Sequence, residues 1–190
     1  MLSVVIPTSN SERVLVPTLA MLVPGAMSGL VREVIIADAH STDETLEVAD
    51  IAGCTVLSSA EPLAARLRAA AAAARAPWLM FLRPGTVLDT TWIDETMRFV
   101  EESDRSDGSA AVFRKAVSAR ASNSALREIL GLLMFSVFGR VSPDQGLVIS
   151  RSLYDELEGH RDAAADPEAD LLARLGRRRV LMLRSGARSS

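Results

Sequence analysis

The chain has 190 residues, 48% hydrophobic and 24% charged, enough for one domain with a substantial core and too few for two independent ones. That composition excludes an extended disordered chain, and a formal net charge of -3 excludes a general binder of nucleic-acid backbones, which needs a basic excess. Cys54 is the one cysteine, so no internal disulfide forms, a reducing compartment suits the chain, and the thiol reads as a small buried hydrophobe after Gly53.

The elements alternate along the chain. Leu2-Ser3-Val4-Val5-Ile6 is a β-branched strand that stops at Pro7-Thr8-Ser9-Asn10. Helical spacing of Val14, Leu15, Thr18 and Leu19 predicts a helix over 11–21, capped by Ser11 and ended by Pro24-Gly25. A second strand over 33–37 stops at Asp38-Ala39-His40-Ser41, and the acidic turn Thr42-Asp43-Glu44 opens a helix over 42–52. Gly53 ends it, and residues 54–57 form a short strand. The alanine-rich run over 63–75, carrying Arg66, Arg68 and Arg75, is a helix because alanine has the strongest helix propensity.

Trp78-Leu79-Met80-Phe81-Leu82 has the continuous apolar character of a strand buried on both faces, and Arg83-Pro84-Gly85-Thr86 is the turn after it. A helix over 89–100 follows, then a polar connection over 103–109 and a strand over 110–117. Residues 122–139 read as an apolar helix, and Pro143-Asp144-Gln145-Gly146 as a turn before a strand over 147–149. Short helices over 152–157 and 170–175 and a strand over 180–183 complete the chain.

This alternation predicts a single α/β domain with a mostly parallel central sheet flanked by helices. In such sheets ligands bind in the crevice outside the carboxyl ends of the strands. Two strand ends stand out. One offers Pro7, Thr8 and Asn10, the other Asp38, and together they resemble the floor of a nucleotide pocket: Asp38 can accept a base N–H, and Thr8 can donate or accept. Asp38, Ser41 and Thr42 could instead cap the next helix, and for Ser41 and Thr42 capping is the expectation. No G-x-G-x-x-G follows either strand and no G-x-S-x-G occurs, which argues against a dinucleotide-binding protein and a serine hydrolase. His40 and His160 are too isolated in sequence for a metal site or a triad.

The run Val-Val-Ile-Pro-Thr-x-Asn, then Glu-Val-Ile-Ile-x-Asp-x-x-Ser-Thr-Asp-x-Thr, resembles the motifs I-P-T-x-N-E and V-D-x-G-S-T-D-G-T of the family 2 glycosyltransferases. The likeness continues through the alanine-rich helix, the Asp144-Gln145 segment and an acidic stretch, Glu168-Ala169-Asp170, before an R-L-x-R-R-like helix; the layout resembles that of a short bacterial subgroup. The resemblance implies a GT-A, Rossmann-like fold, with a donor part over 1–100 and an acceptor-side part over 110–190. It implies a nucleotide-diphospho-sugar donor and an inverting transfer. It places Pro7, Thr8, Asn10 and Asp38 at the base and ribose, Glu168 and Asp170 as candidate general bases, and Asp144 on the acceptor side.

The chain departs from the family pattern where a D-x-D sequence would bind Mg²⁺ or Mn²⁺: it reads Arg83-Pro84-Gly85 there, without a carboxylate. His40 replaces the glycine of the second motif. Two readings follow. In one, the donor site is metal-independent and Arg83, with Arg66 or Arg68, meets the diphosphate, since guanidinium matches phosphate geometry. In the other, a degenerate member keeps the fold and binds a ligand or protein without turnover.

Met1 leads straight into strand residues with no signal-peptide pattern. The apolar stretch 129–138 is half of the roughly 20 residues that a membrane-spanning helix needs. A cytoplasmic protein is the expectation. Residues 129–138 and the basic run Arg177-Arg178-Arg179 leave open a homodimer or a peripheral contact with a membrane carrying a lipid-linked acceptor.

Overall fold

The computed structural model describes residues 1–103, 108–116, 141–176 and 178–189. The expected apolar helix over 122–139, and with it the dimer or membrane contact through 129–138, lies outside the described residues.

Four strands in parallel build the N-terminal half of the sheet. β1 (Leu2–Thr8) lies between β2 (Val31–Asp38) and β4 (Trp78–Phe81), and β3 (Thr55–Ser58) borders β2. The helices α1 (Glu12–Met27), α2 (Thr45–Ile51) and α3 (Leu63–Ala73) connect them. Strand periodicity then sorts the core: Leu2, Val4 and Ile6 pack with Leu15 and Leu19 of α1 on one face, and Val5 packs with Leu67 and Ala71 of α3 on the other. Because both faces are covered, these strands carry unbroken apolar runs.

At β4 the sheet changes direction. β7 (Leu147–Ser150) pairs with β4 antiparallel, β6 (Ala110–Lys115) pairs with β7 antiparallel, and β8 (Val180–Ser189) runs parallel to β6. The described sheet has eight strands in the order β3-β2-β1-β4-β7-β6-β8-β5, with β5 (Thr86–Leu88) antiparallel to β8 at the edge. It is a mixed, mostly parallel sheet. A 3-10 turn (Pro143–Gln145) precedes β7, while α4 (Trp92–Ser103), α5 (Arg151–Glu156) and α6 (Pro167–Leu175) complete the helical layers.

Besides shifts of up to three residues at the ends of other elements, three elements differ from the sequence expectation. Pro24-Gly25 does not end α1, which runs on to Met27. Gly25 is there for proximity: a Cβ on it would stand 2.6 Å and 2.7 Å from ring carbons of the buried Trp92. Gly25→Ala therefore overpacks a rigid indole and is expected to lower unfolding free energy by about 1–3 kcal/mol in urea titrations. The second difference is β5, three residues long and too short to show a period. The third is β8, which extends to Ser189 beyond the expected apolar stretch because side chains from α4 and the turn before it hold its backbone. Glu95 accepts from the Ser185 N–H at 2.9 Å, and Asp89 accepts from the Gly186 N–H at 2.6 Å.

Candidate functional site

The ends of β1 and β2 are level, with Thr8 opposite Asp38 in the parallel register. Asp38 is fully buried. Its Oδ1 accepts from the Thr8 hydroxyl at 2.8 Å and the Ser41 hydroxyl at 2.5 Å. Its Oδ2 accepts from the Ser41 N–H at 2.9 Å and from the hydroxyl of Ser58, at the end of β3, at 3.0 Å. Burial alone would raise the Asp38 pKa, but these four donors outweigh it and hold the carboxyl below its ordinary range. One carboxylate thus ties three strand ends together.

The loops beyond the strands interlock. Asn10 donates its N–H to Ser41 Oγ at 2.9 Å, and its side-chain oxygen accepts from the Thr42 N–H at 2.8 Å. Ser41 and Thr42 therefore do not cap α2, contrary to expectation. Asp43 is the residue at that helix start, accepting from the Thr45 N–H at 3.1 Å and hydroxyl at 2.5 Å, and from the Glu12 N–H at 3.2 Å. Asn10 and His40 both adopt positive φ, +48° and +54°. That conformation explains why a glycine suits the position of His40: an L side chain costs about 1–2 kcal/mol there. His40→Gly is expected to raise unfolding free energy by about 0.5–1 kcal/mol, part of the gain being lost to the unfolded chain's added freedom; denaturant midpoints measure it.

Arg66, in the first turn of α3, lies across the same strand ends. Its Nη1 donates to the carbonyls of Ala37 and Thr8, and its Nε to the Glu61 carbonyl at 3.2 Å. Burial lowers the Arg66 pKa, while the charge of Asp38 works against that. Arg68 faces elsewhere. It binds the His160 carbonyl at 2.5 Å and Asp162 at 2.6 Å, fastening the segment between α5 and α6.

The loop after β4 is pinned to α1. Gly85 has φ +88°, and its N–H donates to the Thr18 hydroxyl at 2.9 Å. Arg83 turns into the gap between the two halves of the sheet. Its Nε and Nη2 both reach Glu168 Oε2, at 2.8 Å and 2.7 Å, and its Nη1 reaches Asp144 Oδ1 at 3.0 Å. Asp166 stands 3.7 Å from Nη2, and Lys115 Nζ is 4.0 Å from Asp144. Burial pushes the Glu168 pKa up, a shift that Arg83 opposes and that Asp166 and Asp144 reinforce. Asp170, one turn along α6, is not in this cluster; it pairs with Arg174 at 2.8 Å.

The residues of this cluster do not form a cation site on their own: a guanidinium stands among the carboxylates, and among the described residues no three acidic, imidazole or thiol side chains converge.

The structure thus brings Pro7, Thr8, Asn10 and Asp38 to the adjoining ends of β1 and β2 and gathers Arg83, Asp144 and Glu168 at the loop after β4, the strand beside β1, leaving Asp170 outside. Sequence reasoning missed Ser58, although it follows the same strand-end rule that identified Asp38. It also missed Lys115, which carried no local signal.

The mostly parallel sheet, with polar strand ends and an ionic cluster where its direction changes, has the architecture of GT-A folds. The model of glycosyl transferase family 2 matches residues 3–142, and the chain belongs to that family. No curated protein matches the sequence significantly. Among solved structures, a fragment of S. aureus TarS superposes with a TM-score of 0.74 at 15% identity, covering 100% of this chain and 60% of that one. Glucosyl-3-phosphoglycerate synthase from Mycobacterium tuberculosis, solved with Mn²⁺, UDP and glucosyl-3-phosphoglycerate, gives 0.69 at 22% identity, covering 100% and 72%. The mannosyltransferase PcManGT from Pyrobaculum calidifontis, solved with GDP-Man and Mn²⁺, gives 0.74 at 14% identity, covering 96% and 54%. The chain spans less than two thirds of the TarS fragment and of the mannosyltransferase. Among the described residues no helix is long and apolar enough to cross a membrane.

Proposed function

We propose that the protein transfers a hexose from a nucleotide-diphospho-sugar to an acceptor hydroxyl, with inversion and without a divalent metal. The observation that carries this reading is the position of Arg83: a fixed positive charge stands at the end of β4, beside the crevice. Neighbours of the same fold hold UDP or GDP-Man with Mn²⁺, which supports a nucleotide diphosphate as the ligand class.

In this reading residues 1–100 hold the donor and 110–190 the acceptor side. Pro7, Thr8 and Asn10 line the nucleoside. Asp38 accepts a base N–H when the hydroxyl of Ser41 or Ser58 rotates away from it. Arg83 neutralises the diphosphate that leaves. Glu168 takes the acceptor proton as the acceptor oxygen attacks the anomeric carbon, and the bonding electrons of the sugar–phosphate bond pass to the diphosphate. Both contacts from Arg83 fall on Glu168 Oε2, so Oε1 lies outside that ion pair and serves as the base. Of the two candidate bases Glu168 is favoured, because Asp170 is engaged with Arg174.

A second reading, binding without turnover, draws support from the saturation of Asp38 by four donors and from the charge pairing of Glu168. Isothermal titration with UDP- and GDP-sugars, with and without Mn²⁺, combined with an assay for released nucleoside diphosphate, tests both. Metal-free binding with release supports transfer. Binding without release to any acceptor supports the second reading, and no binding to any donor sinks the first.

A further inference from the structure

We propose that Asp144 is an internal gate on the donor site: it occupies Arg83 as a stand-in anion, and the diphosphate of the donor displaces it. This rests on the reading of the crevice as a nucleotide-diphosphate site.

The three carboxylates around Arg83 are not equivalent. Glu168 is held by two donors of Arg83, and its side chain is only 9% exposed, so releasing it would strand a charge in a buried place. Asp144 is held by one donor, Nη1, and its side chain is 40% exposed. It can leave Arg83 and rehydrate at little cost. Asp166, half exposed and at 3.7 Å, contributes less.

The turn that carries Asp144 does not depend on the ion pair. The Ser142 N–H donates to the Gln145 side-chain oxygen at 2.7 Å, and Gln145 Nε2 donates to the Phe113 carbonyl at 2.8 Å. Gly146, at φ +72°, packs so closely that a Cβ would stand 2.7 Å from Leu82 Cδ2. Beyond its ionic contacts, Asp144 makes only a 3.4 Å contact with the Ser142 hydroxyl among the described residues. The backbone is anchored and the carboxylate is free to swing.

Charge completes the case. Arg83 and Lys115 face Asp144, Asp166 and Glu168, so the cluster carries one excess negative charge, and a diphosphate must overcome it. When Asp144 moves off, Nη1 of Arg83 is released to the anion and Lys115, more than half exposed, can follow. A nucleoside diphosphate therefore competes with Asp144 for one guanidinium nitrogen.

The test is Asp144→Asn, which keeps the shape and removes the charge, with Asp144→Ser as a second variant and thermal melts to confirm folding. Calorimetric titration with UDP and GDP in metal-free buffer at low salt should give about tenfold tighter binding in Asp144→Asn, the effect of one near charge at a half-exposed site. Asp166→Asn should give a smaller gain. The difference from the parent should shrink as salt rises. Wild-type binding with no gain in either Asp144 variant overturns the gate and leaves the nucleotide site standing. Absence of UDP and GDP binding in all proteins overturns both.

Discussion

Arg83→Ala is expected to lower unfolding free energy by about 2–3 kcal/mol at pH 7 and to abolish metal-free nucleotide binding. Breaking a buried pair by removing one partner costs about 3–5 kcal/mol, and the one-third exposure of Arg83 brings the figure down through solvent screening. The cost arises because the variant keeps Glu168 buried, beside Asp144 and Asp166, with its counter-charge gone. Its carboxyl pKa, already raised by burial, must rise further.

The pH dependence of that deficit follows. A carboxyl whose folded pKa lies above its unfolded value of about 4.3 stays neutral in the fold while the unfolded chain ionises, so stability is lost as pH rises from that value toward the folded pKa. The Arg83→Ala deficit should therefore be largest at neutral pH and shrink below about pH 5. Arg83→Ala/Glu168→Gln should recover most of the loss, since removing both charges leaves none unpaired. Denaturant titrations of the four proteins at pH 5 and 7 close the cycle. A double variant no more stable than Arg83→Ala would show that Arg83 acts through something other than Glu168.

The N-terminal half was legible in the sequence because its signals are local. β-branched runs that stop at Pro7-Thr8 and Asp38 specify parallel strands buried on both faces, and the same stops put the polar groups at the crevice. The Arg83-Pro84-Gly85 sequence showed directly that this loop carries no carboxylate. What Arg83 meets was not legible. Arg83 meets Asp144 and Glu168 across 61 and 85 residues, and such a pairing depends on β7 returning antiparallel beside β4. Arg68 reaches Asp162 across 94 residues by the same logic, so its charge could not be told apart from that of Arg66 by sequence. The misplaced helix end at Pro24-Gly25 has a related cause: the partner that stabilises Gly25 is Trp92, distant in sequence. Local breakers were outweighed by a tertiary contact.

A fall of about 3 kcal/mol in stability between pH 6.5 and pH 4 is expected from His160. The imidazole is 1% exposed, with Phe81 packed edge to face at 4.9 Å and Nδ1 2.9 Å from the Tyr154 hydroxyl. Burial pushes its pKa down to about 4, the charges of Arg174 and Arg68 add to that, and Asp170 and Asp166 only partly oppose it. In the unfolded chain the same group titrates near 6.5. Between the two values the unfolded state binds the extra proton, so stability is complete above about pH 6.5 and is lost progressively toward pH 4. Acids such as Asp38, with pKa values below the ordinary range, add their losses only at lower pH, while Glu168, raised by burial, works in the opposite sense. His160→Gln retains an acceptor for Tyr154 and should flatten the profile between pH 6.5 and 5 in urea titrations; an unchanged slope would assign it to other groups. The segment that His160 anchors runs directly into Asp166 and Glu168, and Arg68 holds it through the His160 carbonyl. Protonation that loosens this segment draws Asp166 and Glu168 away from Arg83, so nucleotide affinity should rise as stability falls over the same pH interval, and the rise should be absent in His160→Gln.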